Sequence, residues 1–261
     1  MVQGFMINLI FDTSVLLACK FSEGITVITK LLKKRFCEKY GVRTEQVGIW
    51  TSGVSIETFD SSRYSKAEMR ARFGLRNRFV ILCHGAFGSK KAPRGISETM
   101  GAIALLRNRF PDLTLFLLGT SFLPLDKMAE ELKIKHMVIT HSPVDYNEVP
   151  RFIAMCDVGI VPLPNLPQWR HQSPLNLLEY LAMEKPVIIS DIPANRDIVE
   201  TCECGIYIDS VEPKKIADAI AACHELRTQL DELGVCGRTI VKEKYSWQKV
   251  AQNLETYLLS L

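Results

Sequence analysis

Residues 157–200 read DVGIVPLPNLPQWRHQSPLNLLEYLAMEKPVIISDIPANRDIVE, and this stretch decides the fold. It predicts a strand at 158–161, a helix at 174–183, a second strand at 187–190 and a further helix at 194–202. Apolar strands that alternate with helices are typical of a parallel sheet with crossover helices. We therefore predict an α/β protein built on a Rossmann-like parallel sheet.

The same alternation extends from residue 78 to residue 233 on either side of this stretch. The pattern predicts strands at 79–84, 113–118, 137–140 and 205–208, and helices at 94–109, 125–132 and 147–155. It predicts more than one helix within 213–233. In open sheets of this kind, ligands bind beyond the carboxyl ends of the strands. The loops that follow those ends are therefore where site residues are expected.

The two ends of the chain carry less regular patterns. We predict a helix up to about residue 20, strands at 24–29 and 47–50, a helix at 30–40 and an amphipathic helix at 248–261. A polar segment at 55–65 has no long periodicity, which is typical of a linker. We predict an N-terminal segment at 1–60, a main domain at 61–244 and a C-terminal helix at 245–261 that packs back on the N-terminal segment.

Composition excludes several classes of protein. The chain has 32 Lys and Arg against 29 Asp and Glu, and the charges are interspersed, so no nucleic-acid partner is expected. The eight cysteines lack the paired spacing of a zinc site, which predicts reduced thiols and no metal. The apolar N-terminus has no preceding basic residue and is interrupted by Asp12, so it does not read as a signal peptide. We expect a cytoplasmic protein with at most peripheral membrane association.

The helix that starts near Pro174 carries the first candidate site. Ser173 is the predicted N-cap and Pro174 the first helical residue, so the loop from Gln172 would present free backbone N–H groups to an anion. Glu179 lies beside the apolar side of this helix, which Leu175 is predicted to share. A carboxylate there needs a polar partner. An ion pair with Lys or Arg and a ligand diol are equally open.

A Gly- and Lys-rich loop at 84–95 is the second candidate, and Gly119 at a strand end is the third. Gly85 and Gly119 would allow a ligand to approach the backbone closely. Lys90, Lys91 and Arg94 could neutralise a diphosphate, although three basic residues in a loop are also common on a solvated surface. Glycine at a strand end is likewise common in a simple turn.

Taken together, these motifs resemble the nucleotide-binding half of glycosyltransferase family 4 (group 1), which has the GT-B fold. The resemblance runs from about residue 20 to residue 261. The matching motifs are GITVIT at 24–29, GVSIETF at 53–59, RG at 94–95, LLG at 117–119, DVGIVP at 157–162, SPLNLLEYLA at 173–182 and KPVIISDIP at 185–193.

The resemblance implies a UDP- or GDP-sugar donor and a retaining transfer of the sugar to an acceptor hydroxyl, without a metal. The family's ribose-binding acid falls on Glu179, whereas the first acid of its pair falls on His171 and its strand-end arginine falls on Ala86. The implied catalytic residues are Lys90, Lys91, Arg94 and His171. The implied nucleotide-binding residues are Gly85, Gly119, Gln172, Ser173, Pro174, Leu175 and Glu179.

Family members carry a full N-terminal Rossmann-like domain, whereas about sixty residues precede the matched domain here. The resemblance therefore implies a truncated first domain. One hypothesis is a transferase that works with a partner protein supplying the acceptor domain, or in a homo-oligomer. The second is a non-catalytic module that binds a nucleotide sugar or another protein. A same-fold epimerase is less favoured because it also needs both halves.

Overall fold

The computed structural model describes residues 2–89, 91–199 and 202–261, with side chains from residue 10 onward. The strands are β1 Ile25–Val27, β2 Val47–Ile49, β3 Phe79–Ala86, β4 Gly88–Ser89, β5 Ala92–Pro93, β6 Leu113–Thr120, β7 Val138–His141, β8 Val158–Val161, β9 Val187–Ser190 and β10 Gly205–Ile208. The helices are α1 Val2–Phe21, α2 Lys30–Tyr40, α3 Lys66–Arg72, α4 Ile96–Leu106, α5 Leu125–Glu131, α6 Val149–Met155, α7 Pro167–Arg170, α8 Leu175–Ala182, α9 Pro193–Val199, α10 Pro213–Glu225, α11 Leu230–Ile240 and α12 Trp247–Leu258.

The main sheet has six strands in the order β10-β9-β8-β3-β6-β7, and every neighbouring pair is parallel. The four central strands, β9, β8, β3 and β6, are buried along most of their length because helices cover both faces. This architecture confirms the predicted α/β class. The chain leaves β3 toward β6 and later returns to pair β8 on the other side of β3. The strand order therefore reverses at β3, and such a reversal opens a crevice at the carboxyl ends of the strands.

Two apolar cores lie on opposite faces of this sheet. One is built around α3, α6, α8 and α9 and contains the fully buried Tyr180 and Phe116. The other is built around α4, α5 and α10 and contains Phe79 and Ile103. The loop segment before α3 is anchored in the first core, because Phe59 is fully buried there.

The smaller sheet pairs β1 and β2 in parallel, and α12 closes over it. The Tyr257 hydroxyl of α12 accepts a hydrogen bond from the Ile25 N–H at 3.1 Å and donates one to the Gln46 carbonyl at 2.6 Å. Gly24 and Gly48 make room for this ring, because a Cβ at either residue would lie 2.4 Å from a Tyr257 atom. The last helix is thus in contact with the N-terminal strands.

Helix α1 lies apart from both cores. Asp12 holds it to α2 by accepting hydrogen bonds from Lys39 at 2.6 Å and from Tyr40 at 2.7 Å. The apolar side chains on α1 that are largely exposed are Ile10, Phe11, Leu16, Leu17 and Phe21. Within the described part of the chain, no helix combines the length and apolarity that a bilayer crossing requires.

Several expectations about individual elements are wrong. The helices expected within 213–233 are α10 and α11, but α11 ends at Ile240 rather than near residue 233. The helix expected from residue 94 starts at Ile96, because Gly95 has a left-handed φ of 75°. Cys202 is not a free thiol as expected but is joined to Cys236.

Candidate functional site

A cavity of about 350 Å³ opens at the carboxyl ends of β3 and β6. Among the residues predicted from the sequence, Gly85, Arg94, Gly119, Leu175 and Glu179 all line it. They come from four separate parts of the chain, and the reversal of strand order at β3 brings them together.

Two glycines form the floor of this cavity. Gly85 is the penultimate residue of β3 and has a φ of 112°, and Gly119 is the penultimate residue of β6 and has a φ of 147°. The two residues are paired in the sheet register, and a Cβ at Gly119 would lie 1.8 Å from the Gly85 carbonyl oxygen. The strands can approach this closely only without a side chain at residue 119. The resulting floor is bare backbone, which a ligand can approach closely.

Glu179 forms one wall of the cavity from within α8. Its side chain is buried, and its Oε2 lies 2.5 Å from Nε2 of His84, which is equally buried. The His84 ring packs edge-on against Tyr180 at 4.7 Å between ring centres. The Tyr180 hydroxyl in turn donates a hydrogen bond to the Leu82 carbonyl at 2.8 Å. The sequence left a Lys or Arg ion pair open as the partner of Glu179, and the structure supplies a histidine instead.

Arg94 enters the cavity from the loop before α4. Its guanidinium lies 4.5 Å from the centre of the Trp169 ring, a cation–π distance. Trp169 is itself fixed, because its Nε1–H donates a hydrogen bond to the Pro93 carbonyl at 3.0 Å. Burial lowers the pKa of Arg94, yet an arginine remains protonated at neutral pH. The cavity therefore contains a fixed positive charge suited to an anion.

His171 lies away from this cavity and faces α2. Its Nε2 is 3.0 Å from an Arg35 guanidinium nitrogen, and its carbonyl accepts a hydrogen bond from the Thr29 hydroxyl at 3.4 Å. Burial, together with Arg35 and Arg170, lowers the pKa of His171. Because a guanidinium can only donate, Nε2 of His171 must accept and Nδ1 carries the proton.

The predicted start of α8 is wrong by one residue. Pro174 occupies the N-cap position with φ −70° and ψ 110°, and no side chain caps the helix. The Ser173 hydroxyl instead lies 3.1 Å from the Thr51 hydroxyl, and its carbonyl accepts a hydrogen bond from Ser52 at 3.2 Å. Leu175, which was expected in the buried stripe, is half exposed and faces the cavity.

Gln172 and Ser173 line a different cavity of about 310 Å³, which lies against the β1–β2 side of the molecule. The structure therefore separates this part of the predicted anion loop from Glu179 and Arg94. Lys91 is exposed and lies outside the lining of the first cavity. Lys90 lies outside the described residues.

Sequence reasoning did not select two further residues of the first cavity, His84 and Asn176. Asn176 donates a hydrogen bond of 3.4 Å to the His84 carbonyl. His84 could have been found from its position, because it is a polar residue at the carboxyl end of a buried strand. Asn176 carries no such signal, since polar residues are common in the first turn of a helix.

A larger hollow of about 530 Å³ lies between α3 and α6. Its lining contains Arg63, Arg72 and Arg151, but also Glu68 and Glu148. Arg151 is 3.3 Å from Glu148, so part of its charge is already neutralised. The smaller cavity at the strand ends is the better candidate site because it combines bare backbone, a buried carboxylate and a fixed arginine. No group of three or more metal-ligating side chains occurs among the described residues.

Comparison with known proteins identifies the family and the fold of the chain. The family model described as "Glycosyl transferases group 1" matches residues 65–238, which is more than half of the chain. Spore coat protein SA of Bacillus subtilis is 25% identical over 219 residues, which cover 78% of this chain and 56% of that protein. The GDP-mannose-dependent alpha-(1-6)-phosphatidylinositol monomannoside mannosyltransferase of Mycobacterium tuberculosis is 24% identical over 242 residues, covering 91% of this chain and 62% of that enzyme.

Among solved structures, Anabaena HepE in complex with UDP has the same fold, with a TM-score of 0.80 at 18% identity. The match covers 94% of this chain and 66% of HepE. The chain thus spans less than two thirds of the length of the curated relatives it matches. By its matched residues and its fold, the chain belongs to the group 1 glycosyl transferases.

Proposed function

We propose that the chain is the donor-binding half of a retaining glycosyltransferase and that its cavity at the ends of β3 and β6 holds the nucleotide of a UDP- or GDP-sugar. Glu179 accepts hydrogen bonds from the ribose hydroxyls. The glycine floor allows the nucleotide to lie against the backbone, and Arg94 faces the diphosphate. The observation that carries the proposal is the buried Glu179 carboxylate in a cavity that also contains a fixed guanidinium.

The chemistry that these groups support is stabilisation of a leaving diphosphate. The charge of the leaving group grows in the transition state, and a fixed cation in a partly buried site stabilises it without rearrangement. On this proposal Arg94 supplies that charge and no metal is required. The names of two relatives support the choice of ligand, since one is GDP-mannose-dependent and the other was crystallised with UDP.

We further propose that transfer needs a second half that binds the acceptor. On this proposal residues 1–60 are the end of the acceptor-side domain, 61–244 are the donor domain and 245–261 return to the first segment. A partner protein or a second copy of the chain would complete the enzyme. The exposed apolar side chains of α1 and the small two-stranded sheet support this proposal, because both leave surface that an ordinary Rossmann-like domain covers.

The nucleotide site is tested by calorimetric titration of the purified chain with UDP, GDP and ADP. We expect UDP or GDP to bind, and Glu179→Gln to weaken that binding about tenfold or more, because a neutral amide is a weaker acceptor for two hydroxyls. Glu232→Gln, an exposed change on α11, is the matched control and should leave affinity unchanged. Absence of binding with all three nucleotides, or equal binding by Glu179→Gln, would contradict the proposal.

The need for a second half is tested with a radiolabelled sugar nucleotide and a panel of acceptors. The isolated chain should show no transfer above background. Turnover by the isolated chain would overturn this part of the proposal and leave the nucleotide site intact. A non-catalytic nucleotide-sugar module differs in one result, because it would bind donor but show no transfer even with its partner present.

A further inference from the structure

His84 is the hydrogen-bond partner that the described residues provide for the Glu179 side chain. The contact joins Nε2 of the ring to Oε2 of the carboxylate at 2.5 Å, and each side chain is less than a tenth exposed. Both residues line the cavity assigned to the nucleotide. Nδ1 of His84 is also buried and has no partner within the described residues.

The geometry divides the two oxygens of the carboxylate between two tasks. An ionised carboxylate only accepts hydrogen bonds, so Nε2 of His84 must carry a proton and donate a hydrogen bond to Oε2. Oε1 is then the oxygen left for a ligand. Without His84 the plane of the carboxylate could turn through a wide range of angles, because the last torsion of a glutamate side chain is broad.

The imidazole ring that holds Glu179 is itself held on several sides. Its edge-on contact with Tyr180 fixes the plane of the ring, and the Tyr180 hydroxyl is tied to the backbone of β3. Asn176 contacts the carbonyl of His84 at 3.4 Å. The orientation of the Glu179 carboxylate is thus fixed relative to the carboxyl end of β3. The last residues of the same strand form part of the cavity floor.

We propose that His84 is a positioning residue of the nucleotide site, which orients Glu179 so that one carboxylate oxygen meets the vicinal diol of the ribose. This inference rests on the proposed function. A ligand that lacks the diol gains nothing from the orientation, so the effect of His84 is confined to ligands that have it. This selectivity for ligands with the diol distinguishes a positioning role of His84 from a general contribution of His84 to folding.

The test compares a nucleoside diphosphate with its 2′,3′-dideoxy analogue. UDP and 2′,3′-dideoxy-UDP, or the guanosine pair if GDP binds better, are titrated into the wild type and into His84→Gln, His84→Asn and His84→Phe. Gln can place an amide N–H near the position of Nε2, whereas Asn is too short to reach Glu179 and Phe has no donor. His224→Phe is the matched control, because His224 also forms a partly buried histidine–carboxylate contact, 3.0 Å from Asp112.

We expect the wild type and His84→Gln to prefer the ribonucleotide about tenfold to a hundredfold, the range for hydrogen bonds to a charged group. His84→Asn and His84→Phe should reduce this preference to about threefold or less, while the affinity for the dideoxy analogue stays nearly constant. His224→Phe should keep the wild-type preference. Folding of each variant is checked by circular dichroism and thermal melting.

The inference is overturned if His84→Asn, or His84→Phe where it folds, keeps the wild-type preference for the ribonucleotide. It is also overturned if either variant loses both ligands in equal proportion, because His84 would then be structural. Both results leave the proposed function standing. Absence of binding to any nucleoside diphosphate by the wild type would instead be a failure of the proposed function.

Discussion

Asp157 is a partly buried carboxylate outside the candidate site that links elements of the main domain. It accepts hydrogen bonds from Lys66 at 2.9 Å, from Arg70 at 2.5 Å and from the Val80 N–H at 2.8 Å, so it ties α3 to β3. Burial by itself would raise the pKa of Asp157, but Lys66, the Val80 N–H and Arg70 together outweigh it and lower that pKa below its ordinary value.

Asp157→Asn should therefore cost about 3 kcal/mol of unfolding free energy at pH 7, since it leaves a largely buried arginine without its charge partner. A lowered folded-state pKa means that the unfolded chain, with an aspartate pKa of about 3.9, binds more protons. The stabilisation is therefore complete above that pH and is lost as pH falls toward the folded-state pKa. Urea unfolding between pH 7 and 3 should show the two proteins converging in stability as the medium becomes acidic.

An exposed pair gives the control for this prediction. Asp218 contacts Lys214 at 2.6 Å, but both side chains are more than half exposed. Asp218→Asn should change the unfolding free energy by less than about 1 kcal/mol at every pH. Parallel pH profiles for the wild type and Asp157→Asn would show that the three donors around Asp157 do not supply the acid-sensitive stability.

Gly119 permits a second prediction for a single residue. Gly119→Ala should cost about 3 kcal/mol or more and abolish nucleotide binding, because the new Cβ would collide with the Gly85 carbonyl oxygen. Gly74→Ala is the comparison, since Gly74 also has a positive φ, of 68°, but a Cβ there meets nothing within 4 Å. It should cost only about 1 kcal/mol of backbone strain. If both substitutions lowered the unfolding free energy equally, the loss would come from the positive φ alone and not from the collision with Gly85.

At the scale of elements, α12 is held against the small sheet by the hydrogen bonds of the Tyr257 hydroxyl. Tyr257→Phe keeps the ring between Gly24 and Gly48 but removes the bonds to Ile25 and Gln46. The loss should be about 1 to 2 kcal/mol. Hydrogen exchange should accelerate selectively at the amides of β1 and β2, while β3 and β6 keep their protection. Tyr40→Phe, which removes a hydroxyl bonded to Asp12, should leave exchange in β1 and β2 unchanged.

The elements that the sequence predicted correctly are those with strong local patterns. Strands β8, β9 and β10 begin and end at the predicted residues because each is a short apolar run bounded by turns or charged residues. Ser173 was wrongly predicted as a helix cap. Its hydroxyl contacts the hydroxyl of Thr51, which is distant in the sequence, and does not cap α8. A capping rule uses neighbouring residues and cannot include such a partner.

The candidate site was partly predictable for the same reason. Gly85, Gly119, Arg94 and Glu179 follow from strand ends and a helix pattern, and the fold brings them to one cavity. The pairing of Glu179 with His84 joins residues 95 positions apart in the chain, and it depends on how α8 packs against β3. No local pattern encodes that contact.

At the scale of the whole molecule, the exposed apolar side chains of α1 predict that copies of the protein associate with one another. Phe11 is 63% exposed and Leu17 is 52% exposed, and they belong to the apolar side chains of α1 that the protein leaves largely exposed. We expect concentration-dependent association by light scattering, which the double change Phe11→Ser and Leu17→Ser should reduce. Phe122→Ser is the control, because Phe122 is 87% exposed but does not lie on α1. Association that survives the double change would exclude α1 as its cause.

The stacking of Arg94 on Trp169 gives the protein its own optical probe. Trp169 is 6% exposed, whereas Trp50 and Trp247, the other two tryptophans, are 48% and 46% exposed. Iodide therefore quenches the emission of those two and leaves mainly the fluorescence of the indole beneath Arg94. A ligand that draws the guanidinium toward its phosphates alters the field on that ring and shifts its emission wavelength. On the proposed function, nucleotide occupancy can accordingly be followed in unlabelled protein.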